Sequence, residues 1–147
     1  MQRTRVAAVS MNGLLGEPDR VLAAIDGWCE GAARAGAHLV LFPELVVHGH
    51  CTPNTWELAE PVPDGPSVRR LIDIAGRHKL VLSVGLSEKE RDIIYNTQVL
   101  VGPEGYIGKQ RKLHLSRDEV NHYKGGREIL VFDTGRCRVG TVICYDN

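Results

Sequence analysis

The chain has 147 residues, 43% of them hydrophobic, and its 18 basic and 18 acidic side chains cancel to a formal charge of zero. That length suits one domain or part of one, since domains commonly hold roughly 100 to 200 residues; the balanced charge leaves no basic stripe to neutralise a phosphate backbone, so nucleic acid is not an expected partner. No stretch approaches the roughly 20 apolar residues that span a bilayer. The opening MQRTRVAAVSM runs at once into Asn12, Gly16, Glu17 and Asp19 rather than into the apolar core of a secretion signal, so no membrane partner is expected. Cys29, Cys51, Cys137 and Cys144 are irregularly spaced, with no CxxC pair, which fits reduced thiols in a cytoplasmic protein.

In chain order, Val6 to Ser10 reads as a short buried strand, and Gly13 to Asp19 as a turn leading to Pro18, which suits a first helical turn. From Arg20, Val21, Ile25, Trp28 and Ala32 recur at helical spacing and predict one sheet-covering face, ended by Gly36 as a left-handed cap. His38 to Phe42 is continuously apolar, as expected for a parallel strand covered on both sides. Ser67 then caps a second helix with Val68, Leu71, Ile72 and Ala75 facing the sheet. Leu80 to Gly85 is a third strand, and Tyr95 to Val101 and Tyr106 to Arg111 form a hairpin about Gly102-Pro103-Glu104-Gly105. Ile129 to Phe132 and Arg138 to Cys144 make a last pair about Asp133-Thr134-Gly135. Helices early and hairpins late predict a layered α/β or α+β sandwich.

Three strand exits each present one polar residue. Glu44 follows HLVLFP, where Pro43 holds Phe42 extended and delivers the carboxylate into an apolar setting; partial burial there would raise its pKa and make it a usable base. Lys112 alternates with Arg111, so one of the two basic groups points inward. Cys144 follows VGTVI and opens the polar exit Cys-Tyr-Asp-Asn. Each has an ordinary reading beside the catalytic one: a solvated loop carboxylate, a surface lysine and a small buried thiol. His48, His50 and Cys51 also offer zinc-type donors, but H-x-H-C lacks a convincing fourth ligand, and no metal or other cofactor is expected.

The segments LFPE, RKLHL and ICYD, in this order and spacing, resemble the three signature blocks of the nitrilase, or carbon-nitrogen hydrolase, superfamily. The resemblance implies the N-terminal portion of a four-layer αββα sandwich that pairs into homo-oligomers. It also implies a Glu-Lys-Cys triad at Glu44, Lys112 and Cys144, with a further glutamate at Glu119 in EVNHYKGG. By this likeness Cys144 attacks a small amide or N-carbamoyl substrate to form a thioester, Glu44 moves the protons and activates water, Glu119 holds Lys112 or the substrate in register, and Lys112 with the Tyr145 N–H stabilises the oxyanion. Cys144-Tyr145-Asp146 is closer to the amidase and carbamoylase branches than to nitrile-cleaving members, which more often carry Trp-Glu there. His48, His50 and Trp56, in VVHGHCTPNTW, are candidate substrate contacts. Family members continue well past the cysteine block, so residues 1–147 are expected to be a partial domain with open strand edges and exposed apolar faces. A catalytically incompetent fragment acting as a subunit-binding or assembly module is the non-enzymatic alternative, and nitrile hydrolysis by the same triad the enzymatic one.

Overall fold

The protein is described by a computed structural model over residues 3–147. Helix α1 (Pro18–Arg34) opens on Pro18 and carries Asp19 in its first turn and Arg34 in its last, each sign matched to the helix dipole. Its buried face is Val21, Leu22, Ile25, Cys29 and Ala32. Trp28, expected on that face, is 50% exposed: it lies roughly 60° around the helix from Ile25, at the stripe's margin, and the neighbouring Cys29 is buried in its stead. Gly36, at φ 73°, closes the helix in the left-handed conformation expected of it. Helix α3 (Pro66–His78) starts two residues earlier than expected, with Gly65 in the cap position and Pro66 in its first turn; the short α2 (Thr55–Leu58) precedes it. Ser67 is therefore inside α3, where its main-chain N–H donates to Glu60 Oε2 at 2.8 Å.

Five strands form one sheet in the order β1 (Val6–Ala8), β2 (Leu39–Leu41), β3 (Val81–Glu90), β4 (Ile93–Gly102), β5 (Gly105–Arg111). β1, β2 and β3 are parallel; β3, β4 and β5 are antiparallel. The expected hairpin about Gly102 to Gly105 is present. β3 runs five residues further than Gly85, because Glu88, Lys89 and Glu90 pair across to Tyr95, Ile94 and Ile93.

Strand alternation gives this sheet two unlike faces. Val40, Leu82, Val84, Leu86, Val99 and Val101 pack with α1 and α3 in the main core. The same face ends in a buried polar group: Glu88 accepts from Thr97 Oγ1 at 2.7 Å and from Lys109 and Arg111. The opposite face carries Ser83, Gly85, Ser87, Asn96, Gln98 and Gln110, buried polar positions from which the site is built. Over β1 and β2 that second face is apolar and open, with Val6 54% and Leu41 42% exposed. β2 is thus covered on one side only, contrary to the expectation from its apolar run.

β6 (Val131–Asp133) and β7 (Arg138–Gly140) form a separate two-stranded ladder, shorter than the sequence pattern implied. The Phe132 ring lies over Gly108 of β5, where an added Cβ would come within 2.3 Å of it. Cys144 lies past the end of β7, in a 3₁₀ turn at Cys144–Asp146. All four cysteines are free, and among the described residues no helix is long and apolar enough to cross a membrane.

Candidate active site

Glu44 is delivered at the strand exit as expected, but into a polar cluster with Lys112, Asn96 and Glu119 instead of the apolar setting the sequence implied, because the sheet face it folds over carries buried polar side chains. Phe42 N–H still donates to Ser83 O at 2.8 Å, Pro43 ends the pairing, and residues 44–49 turn back over the polar face of the sheet. Leu45 is fully buried and left-handed (φ 50°), an uncommon conformation for a non-glycine residue. The turn lies flat on β3 only because position 85 has no side chain: a Cβ there would come within 2.3 Å of Leu45 N and 2.6 Å of Pro43 O. Gly85→Ala is accordingly expected to lift the Glu44 turn and destabilise the fold by about 1–3 kcal/mol, as overpacking does. Denaturant unfolding and backbone shifts at residues 43–47 check this; an unchanged midpoint and unmoved shifts would remove the close-packing argument.

Lys112 points inward, opposite Arg111, and is 1% exposed. Its Nζ donates to Glu44 Oε1 at 2.7 Å and to Glu119 Oε1 and Oε2 at 2.8 and 2.7 Å. Glu119 sits in a 3₁₀ turn (Glu119–Asn121), fully buried, and also accepts from Ser116 N at 2.9 Å and Asn96 Nδ2 at 2.9 Å. A carboxylate offers about four lone-pair sites. Glu119 uses two on Lys112, one on Asn96 and one on Ser116, which saturates it. Glu44 Oε1 accepts from Lys112 and from Asn96 at 2.7 Å, whereas Glu44 Oε2 has no partner among the described residues, and the side chain is 21% exposed. The cluster therefore presents one free, reachable basic oxygen, and it belongs to Glu44.

Burial acts to raise the Glu119 carboxyl, but the hydrogen bonds from Lys112, Ser116 and Asn96 outweigh it and hold the group at about 2 instead of 4.5. Burial likewise disfavours the Lys112 ammonium, and hydrogen bonds to Glu119 and Glu44 reverse this and raise its pKa. A carboxyl lowered on folding contributes stability above its unfolded pKa and loses it as pH falls through its folded one. Glu119 is thus expected to give the protein an acid-labile component lost between about pH 4.5 and 2, absent from Glu119→Gln. Unfolding free energies across that window decide it, and parallel curves for the two proteins would contradict it.

Cys144 is exposed and left-handed at φ 47°. Backbone strain of this kind is held in place by surrounding contacts, here by Asp146, a residue the sequence reading left without a role. Its carboxylate accepts from Leu113 N at 3.0 Å, His114 N at 2.7 Å and Ile143 N at 3.4 Å. This ties the cysteine turn to the segment directly after Lys112. Among the described residues the thiol makes no hydrogen bond to Glu44 or Lys112, and the Tyr145 N–H has no backbone acceptor.

The remaining candidates separate. His48 is buried; its Nδ1 accepts from Ser87 N at 3.1 Å and its Nε2 lies 3.2 Å from Glu60, so it braces the loop and is not placed to meet a substrate. Trp56 is half exposed with Lys89 Nζ 3.9 Å over its ring. Tyr145 is exposed beside an open groove formed with Leu113, His114 and Val120. His50 lies 3.8 Å from Glu119 Oε1. Donor atoms of Glu44, His50 and Glu119 fall within 4.8 Å of one another, but the Lys112 ammonium already holds the cation's position between the carboxylates. Asn96 and Gly85 also escaped the sequence reading. The signal available for Asn96 was the polar run Asn-Thr-Gln inside a strand otherwise of buried type.

Residues 5–147 match the family described as Carbon-nitrogen hydrolase. The chain belongs to that family. It is 36% identical over 146 residues to a nitrilase of Pyrococcus abyssi, covering 97% of this chain and 56% of the relative. It is 33% identical over 131 residues to the omega-amidase NIT2 of Bos taurus, covering 82% and 47%. Nit3 of Saccharomyces cerevisiae, a member of branch 10 of the nitrilase superfamily, superposes with a TM-score of 0.87 at 27% identity over 97% of this chain and 56% of that one. The mixed α/β sheet with flanking helices is the nitrilase-like sandwich expected from the sequence, and the chain spans about half the length of the relatives it matches.

Proposed function

We propose that this chain carries the nucleophile, base and oxyanion partner of a hydrolase that cleaves the C–N bond of a small carboxamide or N-carbamoyl compound. What carries the reading is the Glu44–Lys112–Glu119 cluster, in which one carboxylate is saturated and the other keeps a single free oxygen. Glu44 takes the thiol proton, the Cys144 sulfur adds to the carbonyl carbon, and the Lys112 ammonium, whose three N–H groups rest on Glu44 and Glu119, turns one from the newly protonated Glu44 to stabilise the oxyanion with the Tyr145 N–H. The C–N bond then breaks, Glu44 passes the proton to the departing ammonia or amine, and a thioester remains. Water activated by Glu44 cleaves that thioester to the acid and regenerates the thiol. Glu119 holds Lys112 fixed. The Tyr145-Asp146 pair after the cysteine favours amides over nitriles, although the relatives bear both nitrilase and omega-amidase names.

The test is covalent trapping at Cys144, with turnover assayed in a polypeptide extended to the relatives' length and carrying this sequence unchanged. Amides and carbamoyl amines are expected to acylate it, and preferential acylation by nitriles would sink the amide assignment while sparing the triad. The open apolar positions Val6, Leu41, Val131 and Val142 favour one second reading, a non-catalytic assembly module. That reading predicts association without acylation by any of the three classes. Pairing of intact enzymes into homo-oligomers is part of the same proposal.

A further inference from the structure

Asn96 touches all three charged residues of the cluster. It lies on β4 opposite Ser87 and is 1% exposed. Its carbonyl accepts the Lys112 main-chain N–H at 2.9 Å, and its Nδ2 donates to Glu44 Oε1 at 2.7 Å and to Glu119 Oε1 at 2.9 Å. The amide nitrogen has two hydrogens, so each carboxylate receives one. Turned the other way, the amide would set Oδ1 against two carboxylate oxygens, so the network itself fixes the orientation. In that orientation Oδ1 is buried with no partner among the described residues. An orphaned buried acceptor is unfavourable; here the amide leaves its own oxygen unmatched in order to hold the two carboxylates.

We propose that Asn96 is a positioning residue for the reaction: it locks Glu44 with Oε1 turned into the cluster and Oε2 left free, and it keeps the two glutamates from sharing a proton. This rests on the reading of Glu44 as the base. The titratable groups around Glu44 are Lys112 beyond β5, Glu119 from the 3₁₀ turn, and His50 and Cys51 from the 44–54 loop. One ammonium cannot balance two carboxylates, and neighbouring carboxylates tend to retain a proton between them, which would disable the base. A lysine is also a compact donor on a flexible stem, about which a singly held carboxylate can pivot. The second donor, planar and fixed to the sheet through its own main chain, removes that pivot.

Two variants test this. Asn96→Asp keeps the shape and replaces the donor by an acceptor; Asn96→Ser keeps at most one donor. Since general-base catalysis contributes roughly 10²–10⁴-fold, kcat should fall about tenfold in Asn96→Ser and about a hundredfold in Asn96→Asp, with KM little changed. In Asn96→Asp the acid limb of kcat/KM should also move up by about one pH unit, and the Glu119 carboxyl, read by carbon-13 NMR, should titrate above its original value. A purely structural role would lower stability without moving either titration. Should Asn96→Asp fail to fold, Asn96→Ser decides. Variants that fold and keep the original kcat and acid limb, while Glu44→Gln is inactive, overturn the role of Asn96 alone. A fully active Glu44→Gln protein overturns the base assignment and this inference with it.

Discussion

Cys144→Ala is expected to abolish both acyl-adduct formation and turnover while leaving the Glu44–Lys112–Glu119 cluster in place. The loss should be complete within detection, because a methyl group can neither attack nor carry a thioester, and removing a nucleophile from a unit of interdependent groups costs about as much as removing the whole unit. The fold should be little affected. Cys144 is exposed, and the contacts that secure its turn come from the Asp146 carboxylate. Alanine at φ 47° bears the same backbone strain as cysteine, so the turn geometry has no reason to relax. Intact-mass spectrometry after mixing with amide, carbamoyl amine and nitrile reads the adduct directly. Glu44→Gln provides the complementary case: the thiol remains, but the oxygen with no partner becomes part of a neutral amide that cannot take its proton, so acylation slows and the protein stays folded. Sustained turnover by Cys144→Ala would rule out the thioester route.

What the sequence disclosed and what it hid divide along a physical line. Periodicity located α1 and α3 because each buries a continuous stripe, the turn residues Gly102 to Gly105 located the β4–β5 hairpin, and the alternation of Arg111 with Lys112 forecast that one would point inward. Glu44 was legible because a polar residue at the end of the apolar run Leu39 to Phe42 is a local signal. The misplaced residues depend on contacts far away in the chain. Trp28 has the right spacing for the core but loses its place to Cys29, a competition that three- and four-residue steps do not resolve. Ser67 resembles a cap, yet Pro66 starts the helix and the Glu60 carboxylate, seven residues away, meets the serine N–H. VGTVI reads as a buried strand, but the ladder stops at Gly140 and Val142 is exposed. Asn96, Gly85 and Asp146 act across 52, about 40 and 33 positions of sequence. A hydrogen bond of that span leaves no periodicity to detect.

Lys112→Met should be nearly as damaging to turnover as loss of the thiol, and it should also reverse the sign of the protein's acid stability. Methionine matches the length and buried volume of the lysine stem while removing its charge. Losing an oxyanion donor alone costs roughly 10²–10³ in kcat. Here the proposed base would suffer as well, because Glu44 Oε1 and both Glu119 oxygens lose their shared ammonium. Two carboxylates with donor atoms within 4.8 Å, held only by Asn96 and Ser116, would then retain a proton between them. In the original protein Glu119 is lowered on folding, so its contribution is present at neutral pH and fades toward pH 2. In Lys112→Met the folded carboxyl pair is raised above its unfolded value. Its contribution is then greatest below the unfolded pKa of about 4.5 and is lost as pH rises through the folded one. Unfolding free energy should therefore rise with pH between about 2 and 4.5 and then stay level in the original protein, and should fall with pH above about 4.5 in the variant, other groups being common to both. Lys112→Arg should restore the charge and much of the stability but little of the turnover, since a planar guanidinium cannot converge on three oxygens as a compact ammonium does. A Lys112→Met protein with the original pH slope would mean that Glu44 and Glu119 do not depend on the ammonium between them, and the assignment of Lys112 as the centre of the site would fall.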